Sequence, residues 1–584
     1  MIQERLKALR AEMEKRGITV YVVPTADFHE SEYVGDHFKA RKFITGFTGS
    51  AGTAVITLDE AGLWTDGRYF VQAENQLKDS TVTLYRMGEE GVPTVDEFVK
   101  DRLKEGGCLG FDGRVVNGTW GGKLEKIAAE KNVSMHVTED LIDLIWEDRP
   151  ALSKQPLFIL EEKYSGKSTA DKIADLRKAM KENGADVHIL TSLYDIAWLL
   201  NIRGNDIDYV PVVLSYLVLN ETECIWFLQE EVVDDKIRAY LEEKHITTKP
   251  YDAIYDYVPE IPADRIVNSL DKAIKVVDKP NPTELMKAVK NKTEVDNTRT
   301  AHVKDGVAFT KFMYWLKTNI GKIPMTEISA SDYLEARRRE QDNFIELSFN
   351  TICAYGANAA MMHYAATPES DAELKPEGFL LVDSGGHYFE GTTDITRTMA
   401  LGPITDEMRL HFTTVCRSNM NLAHAKFLYG CTGLNLDILS RGPLWEMGID
   451  YKCGTGHGVG YVLNVHEGPN GFRWRVVPER HDNGVLEEGM ITTDEPGVYL
   501  EGKYGIRTEN ELVCHKAEKN EYGQFMEFEN ITYAPIDLDA IDPDLLSARE
   551  KKMLNDYHKM VYDTISPYMT AEENEWLKRY TRAI

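Results

Sequence analysis

No stretch of this 584-residue chain is apolar for long enough to cross a bilayer. The longest candidate, Val210 to Leu219, is interrupted by Pro211 and Ser215, whereas a spanning helix needs roughly twenty apolar residues. The N-terminal segment MIQERLKALRAEMEKRG has no apolar centre, so a secretory leader is not expected. Paired cysteines are also missing. The seven cysteines are scattered from Cys108 to Cys514 with no CxxC spacing, which points to reduced thiols and a cytoplasmic setting. Positive charge is scarce: 67 basic against 95 acidic residues give a formal charge of -28. That balance repels phosphate backbones and anionic lipid, so neither nucleic acid nor a membrane is an expected partner. With 28% charged and 43% hydrophobic residues, the composition is that of a globular protein able to bury substantial cores.

The length calls for more than one domain. Ile2, Leu6, Leu9 and Met13 recur at helical spacing, followed by the strand-like ITVYVVP and by FITGFTGSAGTAVITLDEAGLWTDGRYF, an α/β pattern. The same order of helix, glycine, apolar strand, short loop and aromatic strand returns in KIADLRKAMKENGADVHILTSLYDIAWLLNIRGND. Two related α/β domains are therefore expected, at 1–157 and 158–290. The prolines of DKPNPT, 278–283, mark a linker, after which TELMKAVKNKTEVDNTRTAHVKDGVAFTKFMYWLK reads as two long helices opening an α+β domain over 291–584. From Asp542 onward the pattern is helical without catalytic residue types, an interface or capping extension.

Potential metal ligands gather in three Gly-flanked stretches of that last domain. Asp383 closes the strand-like FLLVD, and Asp394 opens DITRTMAL eleven positions later. Antiparallel pairing about a midpoint between Tyr388 and Phe389 would set the two carboxylates opposite one another, roughly 5 Å apart. Like charges there are costly unless a cation lies between them. Glu495 and Glu509 repeat the arrangement about Gly502, a residue suited to a tight turn. Four carboxylates are enough to bridge two divalent ions about 3.5 to 4 Å apart. His457 in GTGHGVG would complete the set, its glycines allowing close approach. Oxygen-rich ligation with one imidazole favours Mn²⁺, although Co²⁺, Fe²⁺ and Zn²⁺ would also bind. Each residue alone has a structural reading as well: an Asp ending a strand, a loop histidine.

Taken together, VDSGG…TTD, GTGHGVG followed by NVHEGP, TDEPGVY and GIRTENE resemble the proline-specific pita-bread metallopeptidases, and most closely the aminopeptidase P group. SEYVGDHFKARKFITGFTGSAGTAV and WTDGRY are similar to a creatinase-like N-terminal domain, and LYDIAWLLNIRGNDIDYVPVVLSY to the second such domain of the long, three-domain forms. The resemblance thus implies two creatinase-like α/β domains ahead of a pita-bread catalytic domain. It implies two divalent ions held by Asp383, Asp394, His457, Glu495 and Glu509, with Asp394 and Glu509 bridging. A hydroxide between the ions would attack, and Glu495 would orient the water and take its proton. His363 would stabilise the oxyanion or the leaving imino group, His466 would bind the substrate carbonyl or the peptide beyond proline, and His457 would border the substrate. Arg507 would steady a ligand carboxylate. The implied reaction is release of the first residue from peptides with proline second, by a homodimeric cytoplasmic enzyme.

One position departs from that pattern: Cys453 stands where many members have a histidine four residues before the ligand histidine. It would line the proline side rather than bind metal, which bears on substrate affinity. His29, His37 and His302 read as structural or surface residues, and Asp66 with Arg68 as an ion pair in a turn. Two other functions stay open: an Xaa-Pro dipeptidase, and a metal-free peptide-binding scaffold of the same fold. Complete ligation argues against the scaffold, and the duplicated N-terminal domain argues against the dipeptidase.

Overall fold

The computed structural model describes residues 2–261, 266–267, 276–277, 279–477 and 480–584. Of the expected linker, Asp278 lies outside the described residues.

In the helix Ile2–Arg16 the buried residues are Leu6, Leu9 and Met13, three positions on one stripe. The next strand, Val20–Pro24, is buried throughout and sits inside a six-stranded sheet, antiparallel to Thr53–Thr57 and parallel to Cys108–Gly110. In space that sheet runs Thr83–Arg86, Ala61–Thr65, Thr53–Thr57, Val20–Pro24, Cys108–Gly110, Ser134–His136. A second sheet repeats this order with Thr247–Pro250, Cys224–Leu228, Ser215–Asn220, Val187–Leu190, Ile266–Val267 and Val276–Val277. Its founding strand Val187–Leu190 is again antiparallel on one side and parallel on the other. The internal repeat is therefore one of topology. The aromatic segments expected as strands are helices instead, Ala40–Thr45 and Leu193–Leu200. Caps decide this: Ser192 accepts the Asp195 N–H at the start of one, and Gly46, at φ 80°, ends the other.

These sheets make up one compact unit, which takes in Ile173–Asp208 and Val212–Pro280; the other comprises Leu160–Lys172, Tyr209–Pro211 and Asn281–Ile584. In the latter, the first of the two helices expected to be long is short, Pro282–Ala288, and the second is Lys292–Asn319. The break follows from a capping box in which Asn291 accepts from Glu294 N and Glu294 from Asn291 N. The helix pair Lys292–Asn319 and Glu327–Arg339 covers a three-stranded antiparallel sheet, Ile352–Tyr355, Phe379–Ser384 and Ile395–Ala400, through Phe309, Phe312, Leu334, Leu380 and Met399. A six-stranded sheet runs Lys426–Leu428, Gly523–Asn530, Asn510–Asn520, Ile491–Asp494, Gly456–Gly458, Glu467–Phe472. The C-terminal segment is helical as expected, Ala548–Ile565 and Ala571–Tyr580.

Two hairpins carry the acidic residues, and their registers differ from one another in how well they match expectation. Asp383 pairs with Thr396 and Ser384 with Ile395, and the extension pairs Tyr388 with Gly391. The chain therefore reverses at Phe389–Glu390, one residue later than expected. Lys304 and Asn343 both bond Glu390 there, and Gly391 lies against the Thr298 backbone. Asp394 consequently sits on the diagonal from Asp383, on the same sheet face, where side chains can still converge. The second hairpin keeps the expected centre: Ile491↔Val513, Asp494↔Asn510, Gly497↔Arg507 and Leu500↔Tyr504 share one register about Gly502, whose φ is +71°. Glu495 and Glu509 occupy opposing places where the ladder lapses, beside Pro496, which has no N–H to give.

Candidate metal centre

Where that ladder lapses, the main chain finds other partners. Glu495 N donates to Thr455 O at 2.7 Å and Glu509 N to Thr396 O at 3.1 Å, so each glutamate is fastened to a neighbouring strand and its carboxylate is delivered to a fixed place. His457 arrives from the Gly456–Gly458 strand. A Cβ at Gly456 would lie 1.8 Å from Thr493 O, and one at Gly458 2.1 Å from Glu467 O. The glycines on either side of His457 are therefore demanded by backbone packing. Its Nδ1 lies 2.9 Å from Gly458 O, a contact that directs the opposite nitrogen into the site.

That nitrogen, Nε2, is 3.5 Å from Asp394 Oδ2 and 3.5 Å from Glu495 Oε1. Ligand atoms of Asp394, His457 and Glu509 all lie within 4.8 Å of one another. Asp383 joins through Arg507, whose Nη2 donates to Asp383 Oδ2 at 2.5 Å. The same guanidinium donates to Thr396 Oγ1 and Tyr499 Oη, and Thr396 Oγ1 donates to Glu509 Oε2 at 2.6 Å. Arg507 and Thr396 thus tie two of the carboxylates into one lattice.

The electrostatics ask for a cation. Asp383, Asp394 and Glu509 are buried, and Oδ1 of Asp383 and of Asp394 has no protein hydrogen-bond partner, a costly state for buried carboxylates. Burial, and then the charges of Asp383 and Glu495, hold the Asp394 carboxyl well above the ordinary carboxylate range. Burial, followed by Asp394 and Glu495, does the same to Glu509. Four carboxylates and one imidazole suit hard to borderline divalent ions. The donors present fit a pair of such ions, and no other cluster among the described residues brings three candidate ligand atoms so close.

The remaining expected residues sit close by. His466 packs edge-on against the His457 ring, centroids 4.2 Å apart. His363 is half-buried, and the carbonyl of its neighbour Met362 accepts from Arg507 Nη2 at 3.4 Å. Cys453 is packed at the edge of the core that contains Tyr451 and Val498. Burial and then Glu495 push its thiol up to about 12, so at neutral pH it is a neutral lining group. Asp66 and Arg68 form the expected two-point pair, at 2.8 and 2.7 Å. Of the histidines set aside, His29 is buried on Tyr251 and Thr191, and His37 faces Pro150 O. His302 belongs near the site: it is buried, 3.0 Å from Glu511, whose other oxygen accepts from Asp394 N. Sequence reasoning passed over Glu511, although it lies two residues beyond Glu509 and hence on the same strand face.

Known proteins agree with this layout. The description "Creatinase/Prolidase N-terminal domain" matches residues 5–145 and again 148–294; "Metallopeptidase family M24" matches 296–516, and its C-terminal region 524–584. A probable Xaa-Pro aminopeptidase P of Laccaria bicolor is 40% identical over 99% of this chain and 92% of its own length. Aminopeptidase P1 of Arabidopsis thaliana is 36% identical over 100% and 99%. The crystal structure of X-prolyl aminopeptidase from Caenorhabditis elegans, described as a cytosolic enzyme with a di-nuclear active site, superposes with a TM-score of 0.94 at 33% identity, covering both chains completely. No described helix is long and apolar enough to cross a membrane.

Proposed function

The chain belongs to the aminopeptidase P family of M24 metallopeptidases, and on that footing we propose that it hydrolyses the Xaa-Pro bond at the N-terminus of peptides, releasing the first residue. The observation that carries the reading is the convergence of Asp394, His457 and Glu509, with Glu495 beside His457 and Asp383 clamped by Arg507. We assign two divalent ions to Asp383, Asp394, His457, Glu495 and Glu509, with Mn²⁺ the ion best suited to the oxygen-rich donors. Bound there, the ions would supply a water of lowered pKa and a Lewis acid for the scissile carbonyl. To Glu495, whose Oε1 faces His457, we assign uptake of the water's proton. His363 and His466 border the same region and are assigned to the oxyanion or imino group and to the peptide beyond proline. Arg507 holds Asp383 in position and keeps a positive charge behind the cluster.

We further propose a cytoplasmic enzyme of three domains, 1–157, 158–290 and 291–584, assembled as a homodimer through its catalytic domains. The free thiols support the compartment, and the boundaries of the matched family regions lie close to the proposed ones. An apolar surface supports the dimer: Leu434, Ile438, Leu439 and Trp445 are exposed along the helix Gly433–Trp445, with Trp474 set edge-on to Trp445. The deciding experiment is hydrolysis of Arg-Pro-Pro by chelator-stripped protein with and without Mn²⁺, with Xaa-Pro dipeptides and a proline-free tripeptide as controls. Metal-dependent release of Arg from Arg-Pro-Pro alone is expected. Cleavage of the dipeptides alone would make it a dipeptidase, and no release with any ion would make it a binding scaffold.

A further inference from the structure

We propose that a buried His302–Glu511 pair fixes the main chain of Asp394 and thereby sets the affinity with which the metal pair is held.

Asp394 lies just before the strand Ile395–Ala400, at the end where pairing with Phe379–Ser384 stops. Its amide is therefore outside the ladder that holds its neighbours. That amide donates to Glu511 Oε1 at 2.6 Å, a charge-assisted contact of the strong kind. Glu511 is completely buried. It lies opposite Thr493 in the register of the second hairpin, and its own amide is taken by Thr532 Oγ1. Its backbone is thus fixed independently of the site. The other carboxylate oxygen faces His302 Nε2 at 3.0 Å without making a hydrogen bond. His302 is itself buried in the long helix Lys292–Asn319.

A buried carboxylate is an expensive acceptor for one main-chain N–H. A backbone carbonyl would serve at lower cost if satisfying the amide were the whole task. What the carboxylate adds is a buried contact from the helix, at His302, to the amide of the ligand Asp394. Glu511 stands outside the group of ligand atoms formed by Asp394, His457 and Glu509 and meets Asp394 at its amide, so it acts as a positioning residue through Asp394. Partners of this outer kind typically govern about 10- to 100-fold in metal affinity.

This inference rests on the two-ion reading, and the test separates the two. Calorimetric titration of Mn²⁺ into metal-free protein should give two equivalents for the unaltered chain; failure to bind two would overturn both readings. Glu511→Ala should weaken Mn²⁺ binding by about 10- to 100-fold. Glu511→Gln, which retains an oxygen able to accept from Asp394 N, should recover most of that loss. Hydrolysis of Arg-Pro-Pro by Glu511→Ala should show a lowered kcat restored by excess Mn²⁺, with KM unchanged. Wild-type affinity in Glu511→Ala, or equal weakening in the Ala and Gln variants, overturns the proposal. Should Glu511→Ala not fold, His302→Leu removes the group facing the second oxygen and is expected to weaken Mn²⁺ binding several-fold; unchanged affinity there overturns it equally.

Discussion

Glu467→Gln tests how the strand that follows His466 is held. Glu467, directly after His466, is buried, and its two oxygens accept from Lys287 Nζ at 2.8 Å and Lys290 Nζ at 2.5 Å. The lysine side chains are 6% and 1% exposed, so water cannot take over as their acceptor. Replacing the carboxylate by an amide keeps the shape and leaves two ammonium groups against a neutral side chain. Breaking a buried pair in this way costs about 3–5 kcal/mol. A ceiling comes from proton loss: neutralising one lysine at pH 7 costs about 1.36 kcal/mol for each of ~3.4 pH units below its ordinary value, roughly 4.6 kcal/mol. At pH 9 the same ceiling falls to about 1.9 kcal/mol. The variant binds fewer protons folded than unfolded, so its stability should rise with pH. In the unaltered chain, burial would raise the Glu467 carboxyl, but Lys287 and Lys290 outweigh it and hold it below its ordinary 4.5. A lowered acid stabilises above its unfolded value and loses that contribution as pH falls through the folded one, so acid sensitivity below about pH 4.5 belongs to the unaltered chain and should shrink in the variant. Urea unfolding followed by near-ultraviolet circular dichroism should show about 4 kcal/mol lost at pH 7 and less than half of that at pH 9. A loss under about 0.5 kcal/mol at pH 7, within the usual range for surface changes, or an equal loss at both pH values would refute the argument from charge.

Asp394→Ala and Glu495→Ala should each abolish release of Arg from Arg-Pro-Pro with circular dichroism unchanged, and normal turnover in either would sink the site assignment. Because Asp394 and Glu509 hold protons above the ordinary carboxylate range when no cation is present, Mn²⁺ binding should expel protons and tighten as pH rises; calorimetry at pH 6 in buffers of different ionisation heat reads this, and no buffer dependence would contradict it. Arg507→Lys keeps the charge but not the fork that reaches Asp383, Thr396 and Tyr499, so metal affinity should drop about 10- to 100-fold, as measured by competition with a chelator. Gly456→Ala would drive a methyl into Thr493 O, and thermal unfolding should report a loss of about 3 kcal/mol or more.

Much of this was legible because the ligands sit on short strands with glycine at the positions packing demands. Glu495 and Glu509 could be paired by counting, since Gly502 marks the reversal and the strands run regularly on both sides. The same counting missed by one residue at Asp383 and Asp394, because the turn there is set by distant partners, Lys304 and Asn343 on Glu390. The aromatic segments after each first α/β strand looked like strands because periodicity alone does not separate short apolar helices from strands; the caps at Ser192 and Gly46 do so here. His302 looked ordinary for a related reason: more than two hundred residues separate it from Glu511, and no local pattern announces a pair made by a helix crossing a sheet.

The single register about Gly502 also limits how this protein can change. Side chains along a strand alternate between faces, so one residue gained or lost in either arm would turn one glutamate away while leaving the other in place. Chemistry alone would accept many separations of the two carboxylates; the pleat accepts steps of two, matched on both arms. Length variation is therefore confined to the tip at 501–503, beyond the last pair Leu500↔Tyr504, where added residues alter neither arm's phase.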